Sequence, residues 1–251
     1  MPAVDPINLA VPGLPEALAG LRILHLTDLH ARGTRKGGAK PQRVVDELIR
    51  ALPNKKYDLV AFTGDYAHHS RDGEAAAEVV ARLVSVLRPR IGAFGVFGNH
   101  DTADAVRRVS AIPGVRWLMN EAAFIRVKNH PVWVIGASEP EDLLSAADHA
   151  VGPGFRLTIL HDPSHIYTAA ALKLPLVLAG HTHGGQWRLG KRAFHTSTDL
   201  PDACAAGVIQ LGPTTMAVSR GLGESVARVR ISCARQAPLY ALRSAGPLPA
   251  N

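Results

Sequence analysis

The run Gly180-His181-Thr182-His183-Gly184-Gly185-Gln186 sets two imidazoles one residue apart, directly after the apolar run Leu174 to Ala179. Both rings therefore leave the polar end of a buried strand on a turn that glycine permits. Four other runs repeat this pattern of apolar strand followed by metal-competent side chains. They are Ile23 to His30, ending in Asp28 and His30; Leu59 to Asp65; Phe94 to Asp101, carrying Asn99, His100 and Asp101; and Leu157 to Asp162, carrying His161. The donor set Asp28, His30, Asp65, Asn99, His161, His181 and His183 is too large for one tetrahedral zinc, whereas two divalent ions sharing Asp65 would use all of it. Mixed nitrogen and oxygen donors suit manganese, iron or zinc better than calcium.

Two cations about 3.5 to 4 Å apart are the arrangement used for in-line displacement at phosphorus. Two carboxylates against two dications leave such a site positive even with a bridging hydroxide, so an anionic phosphate is drawn in. The hydroxide is the natural nucleophile, because coordination lowers the pKa of water from about 15.7 toward roughly 7. His100 would then face the leaving oxygen as general acid or transition-state stabiliser.

Rigid elements must deliver these groups to one point. Strand-like runs alternate with helical patterns through the first two thirds of the chain, the signature of a sheet with crossover helices. Leu21 to Asp28, Tyr57 to Asp65 and Ile91 to Gly98 read as strands, with helices at Pro41 to Ala51, Gly73 to Leu87 and from Asp101 to about Ala111. A short strand at Val115 to Met119 and a hairpin of Phe124 to Val127 with Val132 to Ala137 follow. Helices at Glu139 to Ala150 and Pro163 to Leu172 bracket the strand Phe155 to His161. Short runs at Gly207 to Leu211, Thr215 to Ser219 and Val226 to Ile231 suggest a closing sheet, the last with Arg228 and Arg230 on a wet face. Ligands of open α/β sheets sit at strand ends, and every candidate donor lies at one.

The order Asp28-x-His30, Gly64-Asp65, Gly98-Asn99-His100-Asp101, His161 and Gly180-His181-x-His183 resembles the calcineurin-like metallophosphoesterases, over about Leu21 to Gln186. The ending Gly184-Gly185-Gln186 and the short chain are similar to the bacterial branch with phosphodiesterases and UDP-diacylglucosamine pyrophosphatases. The resemblance implies one metal on Asp28, His30, Asp65 and His183 and a second on Asp65, Asn99, His161 and His181. It also implies a four-layer α/β/β/α sandwich, two facing mixed sheets flanked by helices. Relatives often carry an aspartate three positions after the bridging one, orienting the catalytic histidine; His68 stands there in this sequence.

The implied activity is hydrolysis of phosphoric esters, a phosphodiesterase or pyrophosphatase before a monoesterase, with two divalent ions, manganese first and iron or zinc next. A nuclease, or a non-catalytic scaffold on the same fold, is the alternative reading. A formal charge of +7 favours phosphorylated small molecules, lipid-linked phosphates or nucleic acid, and 5% aromatic content disfavours single-stranded nucleic acid.

With 251 residues, 47% of them hydrophobic, the chain reads as a single domain, 1–251, with an N-terminal extension at 1–20 and a closing segment at 224–251. Two cysteines, Cys204 and Cys233, point to a reducing compartment. The absence of a long apolar run and of a basic, apolar start predicts a cytoplasmic protein, with peripheral contact to the inner membrane left open. The basic loop Arg32 to Lys40 reads as either a solvated charge run or a phosphate-gripping flap. His25 is expected to point into the sheet, and Leu14, Leu18, Trp117 and Trp133 are expected to pack in the core.

Overall fold

Strands whose two faces are both apolar must be covered on each side, and period-two alternation assigns their residues to two different cores. The structure, a computed structural model, describes residues 3–34, 43–139, 141–190, 192–225 and 229–246. One sheet has the order β1 (Ala3–Pro12), β14 (Gln236–Ala245), β2 (Arg22–Leu26), β3 (Leu59–Thr63), β4 (Gly92–Val96), β5 (Arg116–Trp117). Within it β2 to β5 run parallel, and β14 lies antiparallel to β2 and parallel to β1. The other sheet has the order β12 (Gly207–Leu211), β13 (Thr214–Val218), β9 (Leu176–Ala179), β8 (Phe155–Leu160), β7 (His130–Ala137), β6 (Glu121–Val127). Its four inner strands are parallel and its two edge strands antiparallel.

Ile23, Leu59, Ala61, Phe94 and Val96 of the first sheet meet Val132, Val134, Leu157, Ile159, Leu176 and Leu178 of the second in a shared core. Their chain neighbours Leu24, Val60 and Phe62 face outward onto α1 (Arg43–Ala51), α2 (Gly73–Val86) and α3 (Ala103–Ser110), through Val45, Leu48, Val79, Leu83 and Val109. On the far side Ile135, Leu160, Val177 and Met216 carry α4 (Leu143–Asp148) and α5 (Ile166–Ala171). The result is the four-layer α/β/β/α sandwich, with two mixed sheets between two layers of helices. Leu14 and Leu18 are buried in the shared core, and Trp117 and Trp133 pack against the two outer ones, as core packing requires.

Several boundaries move for local reasons. The helix expected from Glu139 starts at Leu143, because the Asp142 side chain accepts a hydrogen bond from the Ser145 amide and caps it there. The helix expected from Pro163 opens as a 3-10 turn, with Asp162 accepting from the Ser164 amide. The two-residue turn Lys128-Asn129 has both φ positive, 47° and 65°, which closes the β6–β7 hairpin tightly. The segment read as an N-terminal extension is largely strand, paired along its length with β14. The strand expected at Val226 to Ile231 is not formed where it is described: only Ile231 makes an isolated bridge, to Trp187, and residues 226–228 lie outside the described residues. Most of the Arg32 to Lys40 loop, from residue 35 onward, and the helix start at Pro41 also lie outside them. Among the described residues no helix is long and apolar enough to cross a membrane.

Leu178, fully buried where the two sheets meet, tests this packing. Leu178→Ala should cost about 2–5 kcal/mol in a urea unfolding curve at unchanged slope; a loss below about 1 kcal/mol would contradict an inter-sheet core.

Candidate metal centre

All candidate residues leave the C-terminal ends of parallel strands: Asp28 and His30 after β2, Asp65 after β3, Asn99 and His100 after β4, His161 after β8, His181 and His183 after β9. Because both sheets present the same ends to the same edge, these side chains converge. Asp28, His30, Asp65 and His183 form one group, and Asp65, His161 and His181 another. In the first, His30 Nε2 lies 2.9 Å from His183 Nε2 and 3.3 Å from Asp65 Oδ2, and His183 Nε2 lies 3.5 Å from Asp28 Oδ1. In the second, Asn99 Oδ1, His161 Nε2 and His181 Nδ1 are mutually 3.1 Å apart, with Asp65 Oδ1 3.3 Å from His161 Nε2.

Donors bound at about 2.1 Å to one cation stand roughly 3.0–3.4 Å from one another. The separations in the two groups, 2.9 to 3.5 Å, lie close to that spacing. Asp65 turns one oxygen to each, Oδ2 to His30 and Oδ1 to His161. This His/Asp cluster thus suits divalent metal binding. Asp28, His30, Asp65, His161 and His183 are buried, while His100 and His181 are half-buried and Asn99 is exposed, so the centre opens on one side only.

Backbone strain accompanies this convergence. Asp28, His30, Asp65, His181 and His183 all have positive φ, between 44° and 71°. For non-glycine residues such backbone costs roughly 1–2 kcal/mol each, and it collects at functional sites. Two glycines make room: a Cβ on Gly98 would strike the Asp65 carboxylate, and one on Gly180 would strike Thr27 Oγ1 and Asp28.

A second ring of contacts fixes the imidazoles. His161 Nδ1 donates to the Thr63 carbonyl at 2.7 Å and His181 Nε2 to the Ser197 carbonyl at 2.8 Å, which turns His161 Nε2 and His181 Nδ1 toward Asn99, with His161 Nε2 also facing Asp65. His183 takes an Arg230 guanidinium N–H on Nδ1 at 3.1 Å. His100 Nδ1 donates to the His68 carbonyl at 2.9 Å, so the backbone of residue 68 orients this ring. The His68 side chain turns to His30, 3.4 Å between their Nδ1 atoms.

Asp101 does not touch the His100 ring. Its carboxylate instead accepts four backbone N–H groups, from Asp65 and Gly98 on one oxygen and from Tyr66 and Ala67 on the other, at 2.8 to 3.0 Å. It thereby locks the Asp65 turn to the Asn99 turn.

The buried charges perturb one another. Burial would push the Asp65 carboxyl up, yet His161 and His30 hold it well below the usual range. Burial raises Asp28, with Asp65 adding to the rise against His161. Burial opposes protonation of His161, but Asp65 and Asp28 override it and raise its pKa. Burial, His30 and Arg230 keep His183 neutral. Neither carboxylate meets a lysine or arginine among the described ion pairs, a charge pattern that a cation would settle.

Sequence reasoning missed three contributors. Arg230 is half-buried against His183 rather than on a wet strand face, donating also to the His183 carbonyl. Glu141 accepts the backbone N–H groups of His161 and Asp162 and pairs with His165 at 2.8 Å. Thr63 accepts from His161 through its carbonyl and pairs its hydroxyl with His25, which lies inside the sheet and away from the cluster. A carbonyl partner leaves no trace in side-chain identity. An arginine between apolar residues reads as a solvated alternation.

The chain belongs to the calcineurin-like phosphoesterase family, whose profile matches residues 21–185. YkoQ of Bacillus subtilis (strain 168), an uncharacterized metallophosphoesterase, is 29% identical over 233 residues, covering 83% of each chain. A transmembrane protein with metallophosphoesterase domain from Danio rerio is 30% identical over 206 residues, 74% of this chain and 45% of that protein. Phosphodiesterase YaeI of Escherichia coli (strain K12) is 26% identical over 227 residues, 86% of this chain and 79% of that one. The protein is accordingly a metallophosphoesterase, an enzyme whose substrates are phosphate esters.

Asp101→Asn turns an amide NH₂ toward backbone donors and should destabilise the fold by at least about 2 kcal/mol in urea, since hydrogen bonds to a charged group contribute about 1.5–3 kcal/mol each. Wild-type stability in this variant would remove Asp101 from the anchoring role.

Proposed function

We propose that the protein hydrolyses phosphoric diesters or pyrophosphates at a dinuclear centre, manganese being the first candidate metal and iron or zinc the next. Asp28, His30, Asp65 and His183 would hold one cation, and Asp65, Asn99, His161 and His181 the other. The observation that carries this reading is the pair of donor groups joined through the two oxygens of Asp65. When bound, two such dications lower the pKa of water and neutralise charge on the transferred phosphoryl group.

The chain's own residues supply position. Carbonyls of Thr63 and Ser197 keep His161 and His181 in one tautomer and one orientation. With Nδ1 of His100 committed to the His68 carbonyl, Nε2 is the atom left to hydrogen-bond or protonate a departing oxygen. The open side at Asn99, His100 and His181 admits the ester, while the buried side excludes water from behind. Preference for a diester or pyrophosphate is supported by the relative named a phosphodiesterase. The substrate would be a phosphorylated small molecule or a lipid-linked phosphate.

Asp65→Asn and His181→Ala should each lower hydrolysis of a nitrophenyl phosphodiester by at least about 10³-fold. They should also abolish the rise in melting temperature that Mn²⁺ gives the wild type, while leaving the circular dichroism spectrum intact. Full activity in either variant would refute the assignment, and faster turnover of plasmid DNA than of the diester would transfer it to a nuclease. His100→Asn should keep the Mn²⁺ stabilisation and lose about 10²–10⁴-fold in kcat; wild-type kcat would exclude His100 from the proton transfer.

A further inference from the structure

The opposite end of the sandwich is built quite differently from the catalytic edge. A cavity of 560 Å³ opens there, between the N-terminal ends of β2, β3 and β4 and the turn of the β6–β7 hairpin. Arg22, Lys56, Arg90, Arg126 and Lys128 line it, against a single carboxylate, Asp58. That carboxylate is already engaged, taking Arg90 Nε at 2.9 Å on one oxygen and the Arg22 backbone N–H at 2.8 Å on the other. Among the described residues the side chains of Arg22, Lys56 and Lys128 form no ion pair. Arg126 is held in place over the Phe124 ring, 5.5 Å from its centroid.

Five cations around one concavity repel each other, and one engaged carboxylate leaves most of that charge uncompensated. A bound anion compensates it. We propose that this cavity is a second anion site, distinct from the catalytic edge, which takes a phosphate-dense small molecule. Its size falls within the range of small-molecule pockets, about 300–1,000 Å³. No aromatic ring lines it, so recognition rests on phosphate charge and not on stacking with a base. None of the large exposed hydrophobic side chains lines it either, which favours a discrete ligand over an inserted bilayer surface. β2 runs from Arg22 to Leu26, with Asp28 two residues past its end, so at about 3.3 Å per extended residue the two sites lie roughly 15–20 Å apart.

The test uses the full chain with its metals and inositol hexasulfate, a densely charged probe with no phosphoester to hydrolyse, in isothermal titration calorimetry. One-to-one binding is expected, weakened at least about tenfold by Lys56→Glu with Lys128→Glu, both exposed positions. Hydrolysis of the nitrophenyl diester should be unchanged in that double variant, which separates this proposal from the catalytic one. Arg50→Glu with Lys173→Glu makes the same change in net charge away from the cavity and should leave probe affinity within about threefold of wild type. Equal weakening in both double variants, or no binding by the wild type, overturns the proposal. Wild-type sedimentation with phosphatidylglycerol vesicles that Lys56→Glu with Lys128→Glu abolishes, without any probe binding, overturns it in favour of a membrane surface.

Discussion

Two carboxylates buried side by side with imidazoles as their ionisable neighbours are the constraint around which the candidate metal centre is organised. Asp28 and Asp65 sit in the interior at nearly zero exposure, where an isolated ionised carboxylate is strongly disfavoured. Backbone N–H groups and histidines compensate only part of this: the His181 amide donates to Asp28 and the His100 amide to Asp65. The left-handed backbone at Asp28, His30, Asp65, His181 and His183 is the geometric counterpart, since each chain must turn sharply at its strand end for the donor atom to point inward. Such strain persists only when the surroundings over-determine it. The strand ladders, the four bonds to Asp101 and the close approaches at Gly98 and Gly180 do so.

The same parallel strands that collect acids and imidazoles at one edge separate that edge from a cationic base. A parallel strand has chemically different ends: its C-terminal loops project toward the site, and its N-terminal residues project away. Arg22, Lys56 and Arg90 are therefore kept off Asp28, Asp65 and Asn99 by the length of a strand, although they are only six to nine residues away in sequence. At that separation, solvent salt screens most of the interaction between the exposed cations and the site. The net charge of +7 is thus no measure of the field at the candidate metal centre.

Much of this was legible in the sequence because the strand ends carry their own punctuation. Apolar runs that stop at Asp28, Asp65, Asn99, His161 and His181 mark both the strands and the candidate donors, and all of these side chains converge. The terminal strands were less legible. In β1 the run from Val4 to Pro12 mixes Asp5, Asn8 and two prolines with apolar residues, and only its partner β14 makes it a strand. Pairing across the whole length of a chain is a tertiary effect that no local window contains. Arg230 was misread for a related reason: alternation with Val229 and Ile231 implies a wet strand face, but the loop folds back so that the guanidinium meets His183 and the Gly223 carbonyl.

Residue 68 shows how far a motif and its physical role can separate. Where the resemblance to the family implies a carboxylate this chain has an imidazole, and in sequence that departure leaves His100 without an orienting partner. The geometry answers with a backbone carbonyl at the same residue, which any side chain at that position supplies provided the turn keeps its shape. That shape is held by Asp101, through the amides of Asp65, Tyr66 and Ala67, and by the Ala31 carbonyl, which accepts the His68 amide. The aspartate at 101 therefore acts on His100 only indirectly, by fixing the turn that presents the carbonyl. The His68 ring, released from that duty, is free to pack against His30, with ring centroids 5.4 Å apart. It also stacks on the ring of His100, 6.1 Å between centroids, so the side chain at 68 adds a ring contact to the hydrogen bond that its backbone supplies.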